Sequence, residues 1–174
     1  MKKNLIIVAL LCLIVIMFIL FVVIPTNKER NERKERNTVI PKLNILSEII
    51  HNYTRDNNSL LPTADNWCDV LIQYDKNLSK EIFMHPRLEG VAIAFNKKLS
   101  GLSLEVIPKD TVLLFEAQGG LNLSGGKELV KTPNLNYSTV YILLINGKIE
   151  QYWVNYIDGQ MSYKKTVDSL RWEP

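Results

Sequence analysis

The chain is poor in the residues that most often carry chemistry. It has two cysteines and two histidines in 174 residues. Cys12 lies inside a long apolar run, which leaves Cys68 alone in the rest of the chain and excludes an internal disulfide there. Leu10 and Leu11 precede Cys12 where a lipid-modified cysteine would need small residues. His51, His85 and Cys68 stand at no recognisable zinc spacing, and Asp110 and Asp158 lack the periodicity of a calcium loop. Neither His-Glu-x-x-His nor a nucleophile elbow occurs. No metal, no cofactor and no enzymatic activity is therefore expected. A basic footprint is missing too. The formal net charge is +3, but from Leu43 onward thirteen Lys/Arg face fifteen Asp/Glu, a net charge of −2. A nucleic-acid partner is not expected of such a domain.

What the sequence does have is Leu5 to Ile24, twenty residues with no charge, Pro, Gly or side-chain amide. A helix of that length spans roughly 30 Å, the hydrocarbon thickness of a bilayer. The run is longer than a signal-peptide core and no Ala-x-Ala site follows it, so an uncleaved transmembrane anchor over residues 1–24 is expected. Lys2 and Lys3 flank it on one side, and Lys28, Arg30, Arg33, Lys34 and Arg36 on the other. That count favours a cytoplasmic domain.

Residues 25–41 form a charged linker, bracketed by Pro25 and Pro41, each of which is expected to kink or end a helix. The basic stretch lies where anionic headgroups would attract it. After Pro41, Leu43, Leu46, Ile50 and Tyr53 recur at helical spacing, with Ile45 and Ile49 widening the stripe. Asp56 to Ser59 ends this helix, and Leu61-Pro62 starts an extended segment. His51 is expected on a polar face. Asp65 or Asn66 can cap a short helix carrying Trp67, Val70 and Leu71. Phe83 to Pro86 reads as a loop, and Val91–Phe95 and Thr111–Glu116 as strands. Ser138–Ile145 and Lys148–Ile157 flank Asn146-Gly147, which predicts a hairpin with a type I′ turn. Asp158-Gly159 is a second turn, and Ser162–Trp172 reads as a helix packing through Val167, Leu170 and Trp172. Helices first and strands afterwards give an α+β domain over 42–174: an amphipathic helix on an antiparallel sheet.

Gly119 to Gly126 is glycine-rich and follows a strand, but Gly126-Lys127 continues into Glu128 and not into the Ser/Thr and helix of a phosphate loop. Glu116, at the end of an apolar strand, suits a general base, a cation ligand or a cap for the N–H groups of this loop; the cap is the favoured role. Tyr137, Tyr141, Tyr152, Trp153, Tyr156 and Trp172 concentrate near the carboxyl end. Sheet packing accounts for most of them. Glu116, Asn122, Tyr152 and Trp153 are the candidate ligand or partner surface, and Cys68 reads as a buried structural thiol.

Asn52 to Pro62, with its Tyr … Asp-Asn … Leu-Pro pattern, resembles the stretch after the first helix of type II secretion pseudopilins. Ala64 to Cys68, Phe95 to Gly101, Ile107-Pro108, Thr111 to Glu116, the Gly119 to Gly126 loop and Leu170 to Trp172 are, as an ordered set, similar to the bacterial prepilin-type processing-associated domain named for His-x(9)-Asp-Gly. The likeness covers residues 43–174. At the naming motif this chain has Asn136 and Asn146-Gly147, at Phe83 to Pro86 it has His85 where the family often has Cys, and its amino terminus lacks both a prepilin cleavage site and a Glu in the apolar run. The resemblance implies a pilin-like fold and a bacterial inner-membrane protein whose domain lies in the periplasm or outside. It implies envelope or secretion-system proteins as partners, beside the lipid bilayer. The alternative expectation is a membrane-tethered module that binds a glycan, peptide or cation.

Overall fold

A computed structural model describes residues 24–85, 89–130, 139–153 and 167–174, with Leu13, Val15, Ile16, Met17 and Ile19; within these the side chains of 24–37, Thr139 and Trp153 are outside the described set. The chain divides into two compact units, Met1–Thr38 and Val39–Pro174. In the first, Leu13 and Val15–Met17 are helical. Most of the expected span from Leu5 to Ile24 lies outside the described residues. Among the described residues no helix is long and apolar enough to cross a membrane.

Helix α1, Ile24–Asp56, runs through both prolines that were expected to kink or end it. Pro41 is interior and removes one backbone bond; the turns that follow it are held by tertiary packing. Leu43, Leu46 and Ile50 are fully buried and Ile49 nearly so, whereas Ile45, expected in the stripe, is 44% exposed. Thr54 ends the helix by accepting the N–H groups of Asn57 and Ser59 on its carbonyl, at 3.2 and 2.8 Å. Asn58 and Ser59 then turn left-handed, with φ of 55° and 62°.

Five strands form one mixed sheet in the order β3-β1-β2-β4-β5. They are β1 Val91–Asn96, β2 Val112–Gln118, β3 Ser124–Gly125, β4 Thr139–Leu144 and β5 Ile149–Trp153. The expected antiparallel pattern holds for β1-β2-β4-β5. It fails at β3, where the glycine-rich loop returns alongside β1 and pairs in parallel through Phe95–Ser124 and Asn96–Gly125. Helix α2, Trp67–Tyr74, buries Trp67, Cys68 and Leu71.

Two apolar clusters lie on opposite sides of the sheet. Tyr141 and Leu143 of β4, with Ile145 just after it, pack with α1 and α2, while Val140, Ile142 and Leu144 pack in the second cluster with Tyr152, Val167 and Trp172. A register shift between Val112 and Leu114 puts two consecutive residues, Leu113 and Leu114, in the α1 cluster. Of the helix expected over Ser162–Trp172, the described residues show Val167–Ser169 as a single 3-10 turn, and Arg171 forms a parallel bridge with Thr111. The turn expected at Asp158-Gly159, with residues 161–166, lies outside the described residues. Trp172 packs edge-on against Phe115 at 5.0 Å.

The β4–β5 connection is not the expected type I′ turn. Gly147 has φ of 81°, but Asn146 is not left-handed. Gly147 donates to the Leu144 carbonyl, and Leu144 to the Lys148 carbonyl, each at 2.9 Å, closing a three-residue loop. The reason is tertiary: Ile145 and Asn146 donate their N–H groups to Thr111 and Lys109 carbonyls at 2.9 and 3.0 Å. A two-residue turn would leave the tip too short to dock on that segment.

Candidate functional site

Among the described residues Glu116 is the one buried carboxylate, in the middle of the sheet at 6% exposure. Alternation from the register shift at Leu113 sends it to the α1 side. There Oε1 lies 3.3 Å from Nε2 of His85, and both side chains are almost sealed from solvent, at 4% for His85 and 8% for Glu116. Oε2 accepts the Tyr141 N–H at 2.6 Å. Glu116 was expected to cap N–H groups of the glycine loop; the N–H it accepts here is that of Tyr141 on β4. His85 is placed by its own N–H, which donates to the Val91 carbonyl at 2.8 Å. The same segment is tied to α1 by Lys42, whose ammonium bonds the carbonyls of Glu81 and Met84. Burial lowers the Lys42 pKa, with the Glu81 charge opposing.

Asn122 sits in the glycine-rich loop at φ of 59°, a conformation Asn tolerates well. Neither Asp65 nor Asn66 caps α2. Its amino-terminal N–H groups are capped from across the chain: Oδ1 of Asn122 accepts from Cys68 at 2.8 Å and Asp69 at 3.3 Å. Nδ2 of Asn122 donates to Asp69 at 2.6 Å, and its backbone N–H meets Sγ of Cys68 at 3.3 Å. Trp67 completes the clasp by donating Nε1–H to the Leu123 carbonyl at 3.0 Å. Burial pushes the Cys68 thiol up to about 12, against the lowering effect of the Asn122 N–H. A thiol so held is unreactive.

Tyr152 is buried in the second cluster and donates its hydroxyl to Glu150. Desolvation first, and Glu150 second, raise its pKa. Tyr141, in the α1 cluster, faces the other way, so these two tyrosines do not build a common stacking surface. Trp153 pairs with Thr139 through the backbone, and its side chain is outside the described residues, as are Tyr137 and Tyr156. The candidates Glu116, Asn122 and Tyr152 thus enter three separate environments, each with its polar atoms engaged internally.

A groove that the sequence did not single out is open instead. It has a volume of about 440 Å³. Leu104, Ile107 and Ile145 line it together with His51, Ser59, Glu105, Lys109 and Asn146. Ser59 donates its hydroxyl to Oε1 of Glu105 at 3.0 Å, and Leu104 donates to the Ser59 carbonyl at 2.7 Å. Opposite, Asn146 bonds the Lys109 carbonyl. The walls are therefore fixed by backbone hydrogen bonds between segments distant in sequence, which is why no local motif announces them. Among the described residues no group of three or more His, Cys, Asp or Glu is placed to hold a metal ion.

No family model matches the chain, and no match is found among curated proteins or solved structures.

Proposed function

We propose that the chain is a single-pass, membrane-anchored, pseudopilin-like protein of the bacterial inner membrane, with its 42–174 domain in the periplasm or outside, acting in envelope secretion or assembly through protein contacts and without catalysis. The observation that carries this reading is the way α1 meets the sheet. One apolar stripe, Leu43, Leu46, Ile49 and Ile50, packs in the same cluster as β1, β2 and β4, in an antiparallel run that follows the helix in sequence. The apolar run before α1 adds support: Leu13, Val15, Ile16, Met17 and Ile19 are 45 to 63% exposed, a burden that a bilayer would relieve. The internal engagement of Glu116, Asn122 and Tyr152 fits a domain without a reaction centre.

The test is topology. A periplasm-active reporter and a cytoplasm-active one are each fused after Lys42 in a bacterial host. Activity of the first alone is expected. Activity of the second alone would overturn the secretion reading, in agreement with the Lys/Arg count beside Leu5 to Ile24.

A further inference from the structure

Strand β1 is flanked by β2 on one side and by two short segments on the other. At its end Phe95 and Asn96 pair with β3. At its start Met84 bridges Ala92, and the His85 N–H donates to the Val91 carbonyl at 2.8 Å. The segment that makes these last contacts begins with the 3-10 turn Lys80–Phe83, which seats the fully buried Phe83 edge-on against Trp67 at 5.1 Å. Two ionisable groups hold it down. Lys42 of α1 bonds the carbonyls of Glu81 and Met84, and Glu116 of β2 meets Nε2 of His85 at 3.3 Å. The His85 and Glu116 side chains are only 4% and 8% exposed, so a change of charge on either is weakly screened.

While Glu116 is ionised, the contact survives either state of His85: an imidazolium pairs with the carboxylate, and a neutral imidazole still donates Nε2–H to it. Protonation of Glu116 reverses this. It removes the negative charge beside the imidazolium, on a segment that already carries the Lys42 ammonium, and neutralising one member of a buried pair is strongly destabilising. The surrounding elements present few other titratable groups among the described residues. They are Lys42 on α1, the Tyr141 phenol on β4, and Cys68 and Asp69 on α2, where Asn122 engages both. Glu81 and Glu89, on either side of His85 in sequence, are exposed, and β1 carries no titratable residue. We propose that His85 and Glu116 form an acid-opened latch, closed while Glu116 is ionised and released when it takes up a proton. Release bares the start of the β1 edge and the Trp67–Phe83 pair, and an unpaired edge offers its N–H and C=O groups to another chain. The latch lies within the Val39–Pro174 unit and works on either side of a membrane.

The experiment is hydrogen exchange by mass spectrometry on the full-length chain in a nonionic detergent, from about pH 8 to about pH 3.5, corrected for the intrinsic pH dependence of exchange. Peptides covering residues 80–85 report the latch, and peptides covering residues 43–50 of α1 are the reference. Protection of 80–85 relative to the reference should stay level down to about pH 5 and then fall, by about fivefold or more at pH 3.5. That is the range in which a released Glu, of ordinary pKa about 4.3, takes up a proton that the closed latch refuses. Glu116→Gln is an uncharged acceptor at every pH, so its opening should follow protonation of His85 and move up by roughly two units, toward the ordinary His pKa of about 6.5. His85→Gln removes the imidazolium and should flatten the acid limb, which keeps the test intact if Glu116→Gln does not fold. Level protection of 80–85 across the whole range in the parent would overturn the proposal, as would Glu116→Gln opening at the parent's pH or His85→Gln opening as the parent does. Loss of protection at 43–50 in step with 80–85 would mean global acid unfolding and would equally overturn a local latch.

Discussion

The Asn122 clasp and the His51 groove are both polar, both built from segments far apart in sequence, and differ in where their hydrogen bonds go. In the clasp, one Asn side chain serves two helix N–H groups and a carboxylate, and its own N–H reaches a thiol. In the groove, an imidazole, an ammonium, half a carboxylate and an amide are left facing water. The first pattern maximises the cost of removing a residue; the second minimises it. Richness in polar residues therefore does not by itself separate a structural cluster from exposed surface in this domain. Glu116 belongs with the clasp: it lies in the sheet with both oxygens in use.

The largest expected effect is on that side of the comparison. Glu116→Ala leaves the Tyr141 N–H without its acceptor and His85 buried beside a cavity, and should cost about 3–5 kcal/mol of unfolding free energy. Denaturant unfolding of the full chain measures it; a loss below about 1 kcal/mol would show that the pair does not hold the sheet to the His85 segment. Asn122→Ala comes next. It removes a helix cap and the bond to Asp69 at a left-handed position that Ala adopts poorly, for about 2–3 kcal/mol. Asn122→Gly relieves the backbone but not the lost cap, so it should recover part of the stability. Full recovery in the glycine variant would reduce the clasp to a backbone preference.

Much of this clasp-side structure was legible in the sequence, but its partners were not. The stripe Leu43, Leu46 and Ile50 and the β-rich runs announce themselves through local periodicity, because burial of one face needs a repeating pattern. Glu116 stood out as a carboxylate in an apolar strand. Its partner His85 lies 31 positions away, on a segment whose docking depends on Lys42 reaching two carbonyls. The register shift at Leu113 also resets which side Glu116 faces, and nothing in Val-Leu-Leu-Phe signals it. Asn122 was visible as a loop residue, but loop composition reads as ligand binding or as turn structure with equal ease. The groove had no signal, since His51 and Ser59, Glu105 and Lys109, and Asn146 meet only after three distant stretches have folded together. The prolines misled for a different reason: intrinsic propensity is local, and the buried stripe after Pro41 outweighs one missing bond.

The thiol within the clasp sharpens the contrast through pH. Folded Cys68 holds its proton to about pH 12, well above the 9.0 of an unperturbed thiol. Between those values the folded chain binds more protons than the unfolded one. The resulting stability is complete below about pH 9 and is lost as the pH rises toward 12. Tyrosines and lysines titrate in the same range, so the informative quantity is a difference. The stability of Cys68→Ala relative to the parent should rise with pH from 9 to 11, by on the order of 1–2 kcal/mol. A flat difference would mean that the clasp opens enough to let the thiolate form, and the contrast with the groove would shrink.

The smallest expected effect falls on the groove and is the more telling for being small. Lys109 is exposed and its ammonium meets no described partner, so Lys109→Gln removes no internal bond. Its unfolding free energy should change by less than about 0.5 kcal/mol. Asn146→Ala is harder to separate, because its Oδ1 helps shape the hairpin tip, and it should cost about 1 kcal/mol. The same denaturant series, run beside the Glu116 and Asn122 variants, places both groups of residues on one scale. If Lys109→Gln destabilised the domain as much as Asn122→Ala, the ammonium would have to be engaged within the fold, and the groove would be a second clasp. A near-zero change would show that the ammonium is spent on solvent and not on the fold.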